Sequence, residues 1–190
     1  PLGSSFDKKG GMNFAILSKN TCGVILELYR LSDIQTPFIS IEFNPKKNRT
    51  GDIWHAHITG PDFSELCYAY RFTGDYSPAL TGDRFNRNKL LIDPYARALV
   101  SADNRWHFDE AYGYDRAAPS DADLAPSGVD NSSTAMKCAI IDDSQYDWQD
   151  DHHPRIPLNK TIIYETHVRG TTMHHSSKSA SPGTFAGIVE

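Results

Sequence analysis

Residues 24–43 read VILELYRLSDIQTPFISIEF, and their spacing decides the fold class. In VILELYRL (Val24–Leu31), Val24, Leu26 and Leu28 fall on one side of an extended chain, and Ile25, Glu27 and Tyr29 on the other. FISIEF (Phe38–Phe43) repeats the pattern, with Ile39, Ile41 and Phe43 set against Phe38, Ser40 and Glu42. A period of two is the signature of a strand with one face against a core. Outward from this stretch the same signal recurs. MNFAILS (Met12–Ser18) precedes it, DIWHAHIT (Asp52–Thr59) follows a TGD turn, and LCYAYRF (Leu66–Phe72) puts Leu66, Tyr68, Tyr70 and Phe72 on one face. These runs are bounded by Gly, Pro, Asn and Asp, with no helical period between them. They predict a mainly β chain: an immunoglobulin-like antiparallel β-sandwich over residues 1–100.

Beyond residue 74 the pattern breaks. KLLIDPYARAL predicts a short strand and then a helical turn begun at Pro94. Residues 101–157 read as an irregular extension and linker, rich in Asp, Ala, Ser and Pro, with one strand-like run at MKCAIID (Met136–Asp142). Residues 158–190 change character. TIIYETHVRG predicts a strand at Ile162–Val168, and HHSSKSASPGTFAGIVE a polar loop entering a helix. One βα unit cannot satisfy its backbone or apolar side chains alone. This segment therefore predicts the start of a further domain, and the chain the N-terminal portion of a larger protein.

Composition narrows the function. The chain has 190 residues, is 39% hydrophobic and 23% charged, and carries a net charge of −5. No basic patch suits nucleic acid or an anionic membrane, and no run is long enough for a membrane span. Cys22, Cys67 and Cys138 are too far apart for a CxxC pair and read as buried free thiols. Sequons at Asn48, Asn131 and Asn159 read as accidental, since no secretion signal is visible at the start.

Candidate chemistry is sparse. Asp150, Asp151, His152 and His153 are consecutive, as are His174 and His175, and neighbours on an extended chain point in opposite directions. No zinc-type spacing appears, so no metal site is expected. His55 and His57 share a strand face and read as a hydrogen-bonded pair. There is no nucleophile elbow, phosphate loop or dinucleotide fingerprint, so no cofactor and no catalytic residue is expected. The aromatics are more informative. Trp54, Trp106 and Trp148 stand with nine Tyr and nine Phe in a polar chain. Sugar rings stack on exposed aromatic faces, which makes Trp54 and Tyr70 the candidate carbohydrate-binding residues. Core packing is the competing reading, because aromatics fill sandwich interiors.

NRTGDIWHAHITG, YAYRFTG and GDRFNRNKLLIDPYARAL, in that order, resemble the debranching enzymes of glycogen and starch of the isoamylase type, in glycoside hydrolase family 13. The likeness extends to PLGSSFDKKGGMNFAILS at the start and, in the last third, to DDSQYDWQDDHHPRIPLNKTIIYETHVRG and HHSSKSASPGTFAGIVE. The resemblance implies an N-terminal sandwich of carbohydrate-binding module family 48, with TIIYETHV as first strand of a (β/α)8 barrel. Such a barrel needs about 250 residues, and its nucleophile Asp and acid/base Glu have no matching positions here. The implied parent hydrolyses α-1,6-glucosidic branch points through two carboxylates, in the cytoplasm or a plastid. The implied partners are α-glucan (glycogen or amylopectin) and the barrel of the same polypeptide. Three positions depart from the family pattern: Thr171 stands where Phe is usual, Ala69 where Gly is usual, and Asp83 where His is usual. A glucan-binding module and a purely structural interaction domain are the alternatives. The structural reading predicts that Trp54, Tyr68, Tyr70 and Phe72 are all buried.

Overall fold

The computed structural model of the chain describes residues 1–103, 105–118 and 122–190. These divide into two units, Pro1–Tyr146 and Asp147–Glu190.

In the first unit the alternating runs become two antiparallel sheets. The strands are β1 (Gly3–Phe6), β2 (Met12–Leu17), β3 (Gly23–Arg30), β4 (Asp33–Glu42), β5 (Arg49–Thr50), β6 (Ile53–Ile58), β7 (Leu66–Thr73), the short pair β8 (Tyr76–Ser77) and β9 (Asp83–Arg84), then β10 (Ala98–Val100) and β11 (Lys137–Ala139). One sheet has the order β1-β2-β6-β5 and the other β10-β11-β7-β3-β4. Their facing sides interdigitate. Met12, Phe14, Ile16 and Trp54 meet Val24, Leu26, Leu28, Tyr68, Tyr70 and Phe72 in one core. Phe14, Tyr68, Tyr70 and Phe72 run through it as successive ring contacts of 5.1, 5.8 and 6.1 Å. The first two contacts are edge-to-face, a geometry that adds about 0.5–1.5 kcal/mol per pair beyond area burial.

β4 lies at an edge, which explains its sequence. Pro37, with no N–H to donate, sits there beside a break in the β3–β4 register near Tyr29. Its outward Phe38 lies under the Arg30 guanidinium, 3.8 Å from the ring centroid. The TGD turn into β6 takes Gly51 at φ +61°, a left-handed conformation open to glycine at little cost.

The sandwich does not close at residue 100. β11, from the MKCAIID run, pairs with β7, and β10 pairs with β11. The helical turn expected after Pro94 is therefore a single turn, Ala96 N–H to Asp93 C=O at 3.0 Å, before the chain extends into β10. The parts of the 101–135 extension within the described residues cover the outer face of the five-stranded sheet. Tyr29, Cys67, Ala69 and Leu90 form a second core there, with Val100 and Ala135 against it. β3 and β7 are consequently buried on both faces. The residue at the family's usual Gly position, Ala69, is fully buried in this second core.

The second unit contains two short α-helices and no strand among its described residues. After the short helix α1 (Phe108–Ala111) of the first unit come α2 (Val168–Thr172) and α3 (Phe185–Val189). His167 caps α2, its Nδ1 accepting from Gly170 N–H at 3.1 Å, and Thr184 caps α3, accepting from Gly187 N–H at 3.2 Å. Thr172 Oγ1 accepts from Gly183 N–H at 2.7 Å and ties the two helices together. The helix expected after the SASPG loop is present. The strand expected at Ile162–Val168 is not: residues 161–167 form no ladder, and the helix begins at Val168. A strand needs a partner for its backbone, and none is supplied within this unit. Ile162, Ile163 and Tyr164 stand 95, 78 and 86% exposed.

Candidate functional site

Trp54 and Tyr70 are both at 0% exposure. Alternation turns Trp54 inward from β6, where its indole N–H reaches the Ser18 carbonyl at 3.2 Å. Tyr70 points into the same core from the central strand β7. A ring with no open face cannot stack a sugar, so neither offers the platform expected of it. Tyr68 and Phe72 are buried too, as the structural reading predicts. His55 and His57 lie on the solvent side of β6, hydrogen-bonded to Thr50 (3.0 Å) and Asp7 (2.7 Å) respectively. Among the described residues no group of three His, Cys, Asp or Glu side chains is placed to hold a metal ion. Of the three thiols, Cys67 and Cys138 are buried as expected, but Cys22 is exposed, at the turn before β3. The Asn131 sequon is closed. Its side chain is 4% exposed and bonds both the N–H and the C=O of Leu90.

The outer face of the five-stranded sheet holds a cluster of buried charges. Arg71 Nε donates to Glu27 Oε1 at 2.8 Å, and its Nη2 to Asp130 Oδ1 at 3.1 Å. Tyr29 donates to the other Glu27 oxygen. Lys137, fully buried, donates to the carbonyls of Ser132 and Ala135 and stands 4.9 Å from the Tyr29 ring centroid. Burial holds the Lys137 ammonium below the usual lysine range. These bonds fasten the extension to the sheet. One sign was visible in sequence: Glu27 and Arg71 interrupt the otherwise apolar second faces of VILELYR and LCYAYRF. Asp130 joins Arg71 from 59 residues along the chain, and no local pattern announces it.

Two well-exposed aromatics lie together on that extension. Trp106 and Phe108 are 51 and 68% exposed, with ring centroids 6.2 Å apart and planes 17° from parallel. They flank and begin α1. Beside them is a cleft of about 130 Å³, lined by Leu91, Ile92, Trp106, Thr134, Ala135 and Met136 among others. A neighbouring cleft of about 410 Å³, lined by Phe72, Arg84, Phe85, Asn86 and Lys89, shares Leu91 and Ala111 with it. Lys89 is 3% exposed and donates to the Glu110 and Val129 carbonyls at 2.9 and 2.7 Å. Burial lowers its ammonium from the usual range. Asn86 donates to the Gly113 carbonyl at 2.8 Å, and Thr134 to the Glu110 carboxylate. Segment 106–113 is thus held from below at two points. In the sequence Trp106 is one of three tryptophans, and its W-H-F triplet in a polar stretch is the local signal of such a surface.

The family model of carbohydrate-binding module 48, described as the isoamylase N-terminal domain, matches residues 1–96. Isoamylase 1, chloroplastic, of Arabidopsis thaliana is 36% identical over 183 residues, covering 95% of this chain and 21% of that protein. The glycogen debranching enzyme of Dickeya chrysanthemi is 39% identical over 195 residues, covering 100% of the chain and 26% of its own length. The chain thus spans about a quarter of the curated relatives it matches. Among solved structures, the catalytic module of the glycogen-degrading pneumococcal virulence factor SpuA, in complex with an inhibitor, matches at TM-score 0.60 and 20% identity, over the whole chain and 24% of that one. A pullulanase variant from Paenibacillus barengoltzii complexed with maltotriose matches at 0.57 and 22%, over the whole chain and 23% of its own. At these identities the likeness is one of fold.

Proposed function

The chain belongs to the carbohydrate-binding module 48 (isoamylase N-terminal domain) family, and from that membership we propose that it is the non-catalytic N-terminal portion of a hydrolase that debranches glycogen or starch at α-1,6-glucosidic links. The sandwich of Pro1–Tyr146 packs against the catalytic barrel, helps shape its substrate cleft and contacts α-glucan. Residues 158–190 begin that barrel. The protein works where α-glucan is stored, in cytoplasm or plastid. The observation that carries this reading is the run Ile162–Tyr164, three large apolar side chains nearly fully exposed in a segment with strand sequence. In water their exposure forgoes about 1.5–3 kcal/mol for each side chain, which neighbouring barrel strands would recover.

A second reading, an interaction domain without sugar affinity, is favoured by the burial of Trp54, Tyr68, Tyr70 and Phe72. Affinity electrophoresis in glycogen and amylopectin gels separates the two. Retardation of the 190-residue chain, with no change in the iodine colour of amylopectin incubated with it, is the expected result. Mobility equal to that in a glucan-free gel would overturn the glucan-contacting part and leave the interaction domain.

A further inference from the structure

Resting on the glucan-contacting part of that reading, we propose that the chain holds a linear α-1,4-glucan on the Trp106–Phe108 surface, in the extension beyond the family-matched residues 1–96. Stacking of pyranose C–H faces needs aromatic rings that are exposed, parallel and fixed. Trp106 and Phe108 meet all three conditions. They are half or more exposed, with planes 17° from parallel and centroids 6.2 Å apart. They are fixed because the deeply buried Lys89 and the Asn86 amide grip the backbone of the same segment at Glu110 and Gly113. A preformed platform avoids the ordering cost that a mobile loop would bring to binding.

The surroundings favour a neutral, polyhydroxylated ligand. Two ion pairs lie beside the rings: Asp103 with His107 at 3.0 Å, and Asp109 with Arg116, whose guanidinium also lies 4.5 Å from the Tyr112 ring centroid. The Asp103–His107 pair is itself 46 and 41% exposed and supplies a carboxylate acceptor and a ring nitrogen at the margin of the platform, where sugar hydroxyls would lie. Beside Trp106 a cleft of about 130 Å³ opens toward Leu91, Ile92 and Thr134.

The test is titration of the 190-residue chain with maltoheptaose, followed by backbone amide shifts, on the wild type and on Trp106→Ala, Phe108→Ala, Trp106→Phe and Trp148→Ala. The expected result is shifts concentrated at residues 105–113, with affinity reduced about tenfold by each alanine at 106 or 108, equivalent to about 1.4 kcal/mol. Trp106→Phe should retain most of the affinity, and Trp148→Ala all of it. Binding by the wild type that survives both alanine variants, with their amide spectra otherwise unchanged, would overturn the platform while leaving glucan contact standing, and would mark the two rings as a contact for another polypeptide segment. No binding of maltoheptaose or glycogen by the wild type would overturn the glucan-contacting reading itself.

Discussion

Replacing Arg71 by methionine removes the centre of the buried charge cluster, and its cost follows from the geometry. The guanidinium makes three hydrogen bonds: to Glu27 Oε1 at 2.8 Å, to the Arg87 carbonyl at 3.0 Å and to Asp130 Oδ1 at 3.1 Å. The side chains of Arg71 and Glu27 are each 9% exposed, whereas Asp130 is 54% exposed. At about 3 Å and an effective dielectric of about 20, the gross attraction of the buried pair is on the order of 5 kcal/mol, largely offset by desolvation. Removing one partner leaves the other charge buried. Arg71→Met leaves Glu27 with the Tyr29 hydroxyl alone, at an expected loss of about 3–5 kcal/mol. Removing both charges avoids that penalty, so Glu27→Gln with Arg71→Met should lose at least about 1.5 kcal/mol less than the sum of the single variants. Asp130→Asn touches only the exposed arm and should cost under about 1 kcal/mol. Urea unfolding at neutral pH, read by tryptophan fluorescence and compared at constant m, measures all four. Single costs that simply add, or an Arg71→Met variant within about 1 kcal/mol of wild type, would refute the assignment of this pair as buried and coupled.

Trp54→Ala should cost about 3–5 kcal/mol of stability, a large part of what a domain possesses; a variant that keeps the wild-type unfolding midpoint would return the indole to the surface. Native protein should show one fast thiol, the exposed Cys22, in a dithiobis-nitrobenzoate assay. Cys67 and Cys138 are buried, which raises their thiols to about 11 and about 12, and should react only on unfolding. Two fast thiols in the folded protein would contradict the two-core arrangement. Asp93 is 2% exposed, and burial raises its carboxyl above the usual carboxylate range, against bonds from Tyr95 N–H and the Tyr68 hydroxyl that lower it. The folded state therefore holds this proton more tightly than the unfolded chain does. The resulting stability is fully present below the ordinary carboxylate pKa and is lost as pH rises through the raised folded value. Asp93→Asn should remove that part of the pH dependence of the unfolding midpoint; an unchanged profile would show that Asp93 titrates as an ordinary carboxylate.

Much of this was legible in the chain. Period-two alternation in VILELYRL, FISIEF and LCYAYRF identified the strands and which side of each meets the core, because a pleated strand sends successive side chains to opposite faces. The isoamylase-type motifs pointed to the family. What alternation leaves open is whether the second face meets water. The second face of β3 carries Ile25, Glu27 and Tyr29, and there Tyr29 is fully buried and Glu27 only 7% exposed. The reason lies far along the chain, in the described parts of residues 101–135, whose sequence has no period but which cover the outer face of the sheet and are fastened there through Arg71, Lys89 and Lys137. Tertiary placement also decided the candidate sugar contacts. Aromatic residues announce either a core or a platform, and only their place in the fold chooses between them. Trp54 and Tyr70 alternate inward and are enclosed by the facing sheet, while Trp106 and Phe108, on a segment fastened over the outside, keep their faces to water. The sequence by itself determined the strands, their faces and the family. The tertiary structure decided which charges were buried and which rings stayed open, because burial is set by what a residue's distant neighbours cover.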